Sequence, residues 1–391
     1  MPDVEEPKAP FSVNWTPELD HNVYVLGAGF SSDGGMPLVS NFLERMAESV
    51  DWLLEQERVD EAKAVGGVFA FRLRAAGAAY RCKFNVENIE ELFSLASAAT
   101  ASSELSQHIT TAIAATLEFC RSTYPINRCN VKITSKASLV KSESSVPLYQ
   151  CYADAISGKW CDIPNSSRNT VITFNYDTLL EEGLHASGIP FHYGGGFNYQ
   201  PSSLCTYSPH NISVYKLHGS VNWGTQLESD GEINVYAAYD EVLRNSERVL
   251  LLPPTWRKTF GGGLTSVWAS AVTALKTATR IVVLGFFMPP TDAHFKYLLM
   301  AGLQNNISLR KLLFVNPGLD EATSPAESKR LKENLFGIFR PELQERGIVE
   351  MVTTDTMRFL LGGQRRKQIG RDFSDAKVVV NVLGPPALQL E

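Results

Sequence analysis

Short apolar runs alternate along this chain with longer amphipathic ones. Asn22–Leu26 is an apolar run that ends in glycine, the pattern of a parallel strand buried on both faces. Thr170–Phe174, Val214–Leu217, Val249–Leu252, Ile281–Leu284 and Lys311–Val315 repeat that pattern. Between and after them, the spacing predicts helices over 87–100, 104–123, 177–187, 264–278, 292–304 and 328–339. In the second of these, Ile109, Ile113 and Leu117 recur every four residues, with Ala112, Thr116 and Cys120 on the same side. Strands alternating with helices of this length predict βαβ units. The expected fold is α/β, a Rossmann-like doubly wound parallel sheet.

Two stretches interrupt the alternation. Between 40 and 165 helical segments have few intervening strands, which predicts a helical module inserted after the first βα unit. Within it, 124–146 is rich in serine and lysine (Ser135, Ser138, Ser142, Ser144, Ser145; Lys132, Lys136, Lys141) and reads as a surface insertion or loop. The expected division is one α/β domain over 15–345, carrying the insertion at about 40–165, and a C-terminal extension over 346–391. In that extension Lys377–Val382 reads as an edge strand or as a contact for another copy or a partner.

Composition narrows the class. Of 391 residues, 44% are hydrophobic and 20% charged, the balance of a packed chain rather than a disordered or collagen-like one. A net charge of −6 gives no global attraction for nucleic acid or anionic membrane, and neither partner is expected. The longest apolar runs, such as 281–288, are too short to span a bilayer. The start, Met1-Pro-Asp-Val-Glu-Glu, is acidic and lacks the apolar core of a secretory signal. Cysteines 82, 120, 129, 151, 161 and 205 form no C-x-x-C pair, so reduced thiols in a cytoplasm are expected. There is no H-E-x-x-H and no i,i+4 histidine pair, so no metal is expected.

In an open parallel sheet, ligands bind beyond the carboxyl ends of the strands, so the residues after each strand carry the candidate chemistry. After the first strand come Gly27-Ala28-Gly29-Phe30-Ser31-Ser32 and then Gly35-Met36-Pro37. Glycines let a backbone approach a pyrophosphate, and a following helix start supplies N–H donors. The dinucleotide fingerprint G-x-G-x-x-G fails here at Ser32, and a tight structural turn is the other reading. After the second strand, Asn175 and Asp177 have the chemistry to bind a sugar hydroxyl and fix a water; Asp177 serves equally as a helix cap. After 214–217 comes His218-Gly219-Ser220, a candidate general base beside a glycine. The other six histidines are assigned no role. Gly285 and Asp292 follow the strand at 281–284, and Asn316 follows that at 311–315.

These motifs resemble a known family. Gly27-Ala28-Gly29-x-Ser31, followed by Gly35 and Pro37, resembles the glycine loop of the sirtuins, the silent-information-regulator class of NAD-dependent enzymes. Thr173-Phe174-Asn175-Tyr176-Asp177 is similar to their T-Q-N-x-D, and Leu217-His218-Gly219-Ser220 to their L-H-G. Gly285 and Asn316 fall where the family has its G-T-S and V-N turns, so the resemblance covers 22 to about 318. Leu38-Val39-Ser40 stands where the deacylases have Asp-Phe-Arg, Phe174 stands for their glutamine, and their zinc-binding C-x-x-C pairs are missing. Those departures, with Phe-Asn-Tyr-Asp-x-Leu and Gly-x-x-x-Pro-Pro-x-Asp, resemble the prokaryotic zinc-less branch, many of whose members are NAD hydrolases of anti-phage defence.

The resemblance implies an NAD+ glycohydrolase effector that splits NAD into nicotinamide and ADP-ribose and depletes cellular NAD in abortive infection. It implies that Gly27, Ala28, Gly29, Phe30 and Ser31 hold the pyrophosphate, with Gly285 also lining the NAD site. Asn175 would contact the nicotinamide ribose and position a water. His218 would act as base through a ribose hydroxyl or on the water, and Asp177 would orient the nicotinamide end or Asn175. Asp292 and Asn316 would bind the adenosine ribose. NAD enters as substrate and no metal is required. A non-catalytic NAD or ADP-ribose sensor, and an NAD-dependent protein deacylase or ADP-ribosyltransferase, remain as alternatives. A toxic hydrolase needs restraint, so a homo-oligomer and a regulatory partner, a HerA-type ATPase or a phage-derived trigger, are expected.

Overall fold

A computed structural model describes residues 20–98, 103–124, 130–134, 143–159, 169–226, 232–255, 263–287, 293–322 and 325–361. β1 (Asn22–Leu26) runs into one helical turn, α1 (Ala28–Ser31). Then come α2 (Phe42–Glu55), α3 (Val59–Ala79), α4 (Ile89–Ala98) and α5 (Ser103–Thr123). β2 (Asn130–Thr134) and β3 (Glu143–Pro147) precede α6 (Leu148–Ser157), β4 (Asn169–Thr173) and α7 (Leu179–Ala186). The chain continues through β5 (Phe191–His192), β6 (Phe197–Tyr199), β7 (Ile212–Lys216), β8 (Gly219–Thr225), β9 (Ile233–Val235), α8 (Tyr239–Arg244) and β10 (Arg248–Leu251). It closes with α9 (Gly263–Thr277), β11 (Arg280–Leu284), α10 (Ala293–Leu303), β12 (Lys311–Val315), α11 (Pro325–Phe336), α12 (Pro341–Glu345), β13 (Val349–Val352) and α13 (Thr356–Leu361).

The main sheet has seven strands in the order β13-β12-β11-β1-β4-β7-β5, all parallel. The chain steps outward from β1 to β4, lays β5 at the edge and then β7 between β4 and β5, crosses back to β11, and steps outward again to β12 and β13. This is the α/β doubly wound, Rossmann-like arrangement the pattern predicts, with its switch point between β1 and β11. The register is flush. Leu26 pairs with Leu284 and Thr173, Val315 with Leu284 and Val352, and Lys216 with Thr173. Six strands therefore end on one line, and the loops that leave them share one edge. β1, β4 and β11 are buried along their whole length, so apolar residues run through β1 and β11 without alternation, while β4 also buries Asn169 and Thr173, bonded to Asn22 Nδ2 and Leu26 O. At the opposite edge, buried Asp20 pairs with Arg280 (3.0 Å) and Arg310 (3.1 Å), bracing the strand starts.

Three sequence expectations change. The run Val249–Leu252 does not join the parallel sheet: β10 pairs antiparallel with β8 in a second sheet, ordered β10-β8-β9-β6. An apolar run carries no sign of which sheet it joins or in which direction; here Gly219, with a φ of +83°, turns the chain from β7 into β8, and β10 returns after α8 to pair with β8. Part of the stretch at 124–146 is a hairpin, with Asn130 paired to Pro147 and Thr134 to Glu143. β2 does alternate, with Val131 and Ile133 between Asn130, Lys132 and Thr134, but the surrounding serines and lysines mask so short a run, and β3 shows no period. Finally, α2 and α3 form over 42–79, where the pattern had singled out no individual helix; α2 buries Phe42, Leu43, Met46 and Leu53 on one face. Lys377–Val382 lies outside the described residues. Among those described, no helix is long and apolar enough to cross a membrane.

The thiols differ in exposure. Cys120, Cys151 and Cys205 are buried, and desolvation pushes them up to about 11, about 12 and about 12, so they stay neutral near pH 7. Cys82 is exposed. Alkylation of the native protein at pH 7.5, read by peptide mass, is expected to modify Cys82 well before those three. Equal labelling of Cys82 and Cys151 would contradict the packing.

Candidate functional site

The loops after β1 and β11 close on each other at the switch point. Gly27 N–H donates to Leu284 O at 3.0 Å and Gly29 N–H to Gly285 O at 2.8 Å. Gly285 adopts a φ of +61°, and a Cβ built there would lie 2.5 Å from the Gly29 carbonyl carbon and overlap the Phe30 nitrogen. Glycine is therefore needed here first for the contact between the two loops. Phe30 points into the core, 1% exposed, with its ring 5.6 Å from Tyr149 and 5.3 Å from Tyr152. Its N–H donates to Gly27 O at 2.9 Å, and its carbonyl accepts from Tyr149 OH at 2.8 Å. Ser31, also buried, turns its hydroxyl toward β4.

Asn175 joins this loop to the one after β4. Its Nδ2 donates to Gly27 O and to Ser31 Oγ, both at 2.9 Å, and its backbone N–H donates to Thr173 Oγ1 at 3.1 Å. A carbonyl only accepts, so the amide nitrogen must face Gly27. Both donors are spent, and Oδ1 is left as the acceptor the side chain offers. The structure thus brings Gly27, Ser31 and Asn175 into one bonded group.

Asp177, 8% exposed, stands one residue ahead of Thr178, the N-cap of α7, and accepts from Leu179 N–H at 3.2 Å. Its carbonyl accepts from Lys216 Nζ, which also pairs with Glu181 Oε1 at 2.8 Å. Burial pushes the Glu181 carboxyl up, and the Lys216 ammonium opposes that rise. Neither Lys216 nor Glu181 had been singled out. A lysine inside the apolar run Val214-Tyr-Lys-Leu217 was the available signal, because a charge in a buried strand needs a partner.

His218 stands at the end of β7, 6% exposed. Its ring lies 5.0 Å from Phe174 at 79° and 6.0 Å from Tyr176. Phe174 also meets Trp268, Phe286 and Phe295, so the imidazole sits at the rim of an aromatic cluster. Residues on either side of Asn175 therefore pack on His218, whereas Asn175 turns to Gly27 and Ser31. The two candidate catalytic side chains flank one loop. That loop is pinned from the β7–β8 side: Leu217 N–H donates to Thr173 O (2.9 Å), Val221 N–H to Tyr176 O (3.0 Å) and Ser220 Oγ to Tyr176 O (3.3 Å). Tyr176 OH donates to Leu252 O at 2.6 Å, and Trp268 Nε1 to Leu217 O at 3.0 Å.

Further out, Asn316 braces the β12 turn, accepting from Gly318 N–H at 2.8 Å and donating to Phe286 O at 3.1 Å. Asp292 lies outside the described residues. The helices before β4 also reach the site edge. Arg121 of α5 pairs with Glu182 at 2.8 Å, and Glu182 accepts from Thr178 Oγ1 at 2.9 Å. Beside the glycine loop, burial pushes the Asp33 carboxyl up; Tyr152 OH, 2.7 Å away, opposes this, and Asp355 reinforces it.

Residues 169–334 match the family described as the SIR2-like domain. The match runs from the start of β4 into α11. It takes in Asn175, Asp177, His218, Gly285 and Asn316 and leaves out the Gly27 loop. No curated protein matches the chain. Among solved structures, a complex of Sir2 with the inhibitor EX-527, 2'-O-acetyl-ADP-ribose and a deacetylated p53 peptide is 13% identical, with a TM-score of 0.33 over 90% of this chain and 94% of that one. Sir2Tm bound to a propionylated peptide is 14% identical, with a TM-score of 0.34 over 90% of this chain and 93% of that one. At such scores these likenesses carry no argument about this chain.

Proposed function

We propose that the chain is an NAD+ glycohydrolase that releases nicotinamide from NAD at the switch-point edge of its sheet, as an effector that depletes cellular NAD in anti-phage defence. One observation carries the reading: the bonded group of Gly27, Ser31 and Asn175 at the switch point, with His218 at the next strand end but one. The SIR2-like match over 169–334 supports the same chemistry. The defence role rests on the resemblance of the sequence motifs alone.

Cleavage of the N-glycosidic bond expels nicotinamide as a neutral leaving group, so no general acid is needed, and the sugar passes through an oxocarbenium-like transition state. A positioned water and one base suffice. Asn175 Oδ1 is the acceptor that orients a water or a ribose hydroxyl. His218 acts as the base, through a ribose hydroxyl or on the water that Asn175 positions. Asp177 contributes by holding the start of α7, and Asn316 by holding the β12 turn near the adenosine ribose.

The discriminating experiment supplies NAD with and without an acyl-lysine peptide and follows free nicotinamide by chromatography. A hydrolase releases nicotinamide from NAD alone. Release only when the peptide is present would make the chain a deacylase instead.

A further inference from the structure

We propose that Lys216 is a positioning residue of this site: its ammonium, held by Glu181, fixes the Asp177 carbonyl and so ties the loop bearing Asn175 to the strand end bearing His218. The inference deepens the NAD reading and rests on it for its catalytic part. The Lys216 side chain is 1% exposed and that of Glu181 3%, and Tyr193 OH adds a hydrogen bond to Glu181 Oε1 at 3.3 Å. A buried ion pair is seldom more stabilising than two apolar side chains of the same volume, because both charges must leave water. Stability alone therefore gives no reason for lysine here. The third contact does. Nζ spans from α7 to the backbone of Asp177, two residues beyond Asn175, while Lys216 itself lies two residues before His218. The backbone bonds from Leu217 and Val221 hold the carbonyls of Thr173 and Tyr176. Lys216 secures the far end of the same loop, where it enters α7. The Lys216 side chain thus completes, at the α7 end, the set of bonds that holds the Asn175 loop against the strand end bearing His218.

The experiment compares wild type with Lys216→Met, Lys216→Met/Glu181→Leu and Glu181→Gln. It uses thermal melting, hydrogen exchange of the amides at 175–179, and nicotinamide release at saturating NAD. The double substitution replaces the ion pair by an apolar pair, so its melting midpoint is expected within a few degrees of wild type. Its 175–179 amides are expected to exchange at least about tenfold faster and its kcat to fall at least about tenfold, because small misplacements are costly in catalysis. Lys216→Met, measured well below its own lower midpoint, is expected to show the same two changes. Glu181→Gln lowers the midpoint, because a buried ammonium loses its counter-charge, but it keeps an acceptor for Nζ; measured well below that midpoint it should hold both readouts within about threefold of wild type. Wild-type protection and rate in the double variant would overturn the proposal, as would a Glu181→Gln loss as large as that of the double variant. If the wild type releases no nicotinamide, the NAD reading fails separately, and loop exchange alone decides whether Lys216 is the latch.

Discussion

Gly285→Ala should destabilise the fold by about 2–5 kcal/mol, made up of about 1–2 kcal/mol for a left-handed backbone with a Cβ and about 1–3 kcal/mol for overpacking. The contact it violates is backbone against backbone. The added Cβ would fall 2.5 Å from the Gly29 carbonyl carbon and 2.9 Å from its Cα, and neither can swing away as a side-chain end would. Relief requires the β1 and β11 loops to part, which breaks the Gly29 N–H to Gly285 O bond of 2.8 Å and loosens the Gly27 carbonyl that Asn175 holds. Gly347→Ala is the control. Its φ of +65° is just as left-handed, but a Cβ there meets nothing within 4 Å, so only the strain remains. Urea unfolding of the pair is expected to separate them by at least about 1–2 kcal/mol. Equal losses would mean that the two loops do not meet as closely as described.

The second large effect falls on activity. His218→Ala should lower nicotinamide release about 10²–10⁴-fold, the range for loss of a general base. It should also cost some stability, since the imidazole packs edge-on to Phe174, but the protein should still fold, because Phe174 keeps Phe286 at 5.3 Å and Phe295 at 6.0 Å. A general base acts mainly on the chemical step, so kcat should fall more than the affinity for NAD. A variant that releases nicotinamide at a wild-type rate would remove His218 from the mechanism.

Much of the sheet is written in the sequence. Asn22–Leu26 and Lys311–Val315 appear in the structure with the bounds their apolar runs predict, because strands buried on both faces are apolar at most positions. The strand-end motifs were legible for the same reason: glycine, asparagine and histidine stand out directly after such runs. The second sheet was not legible. β8 carries Asn222, Trp223 and Gly224, polar, bulky and small residues in succession, all buried, and no period of two survives in it. The fixed separation of Asn175 from His218 was also hidden. It rests on backbone bonds from Leu217 and Val221 and on Lys216 reaching Asp177 and Glu181 across more than thirty residues of chain, contacts that spacing cannot reveal. Phe30 illustrates the limit of motif reading: its place within the glycine loop reveals nothing of the core-facing ring seen in the fold.

The central claim is that this strand-end site hydrolyses NAD through Asn175 and His218. The measurement that tests it most directly follows free nicotinamide over time from NAD mixed with the purified wild type, with Asn175→Ala and with His218→Ala, each verified as folded by its melting curve. The account predicts steady release by the wild type and a loss of about a hundredfold or more in each variant. Undiminished release by both folded variants, or a wild type that neither binds nor cleaves NAD, would contradict it.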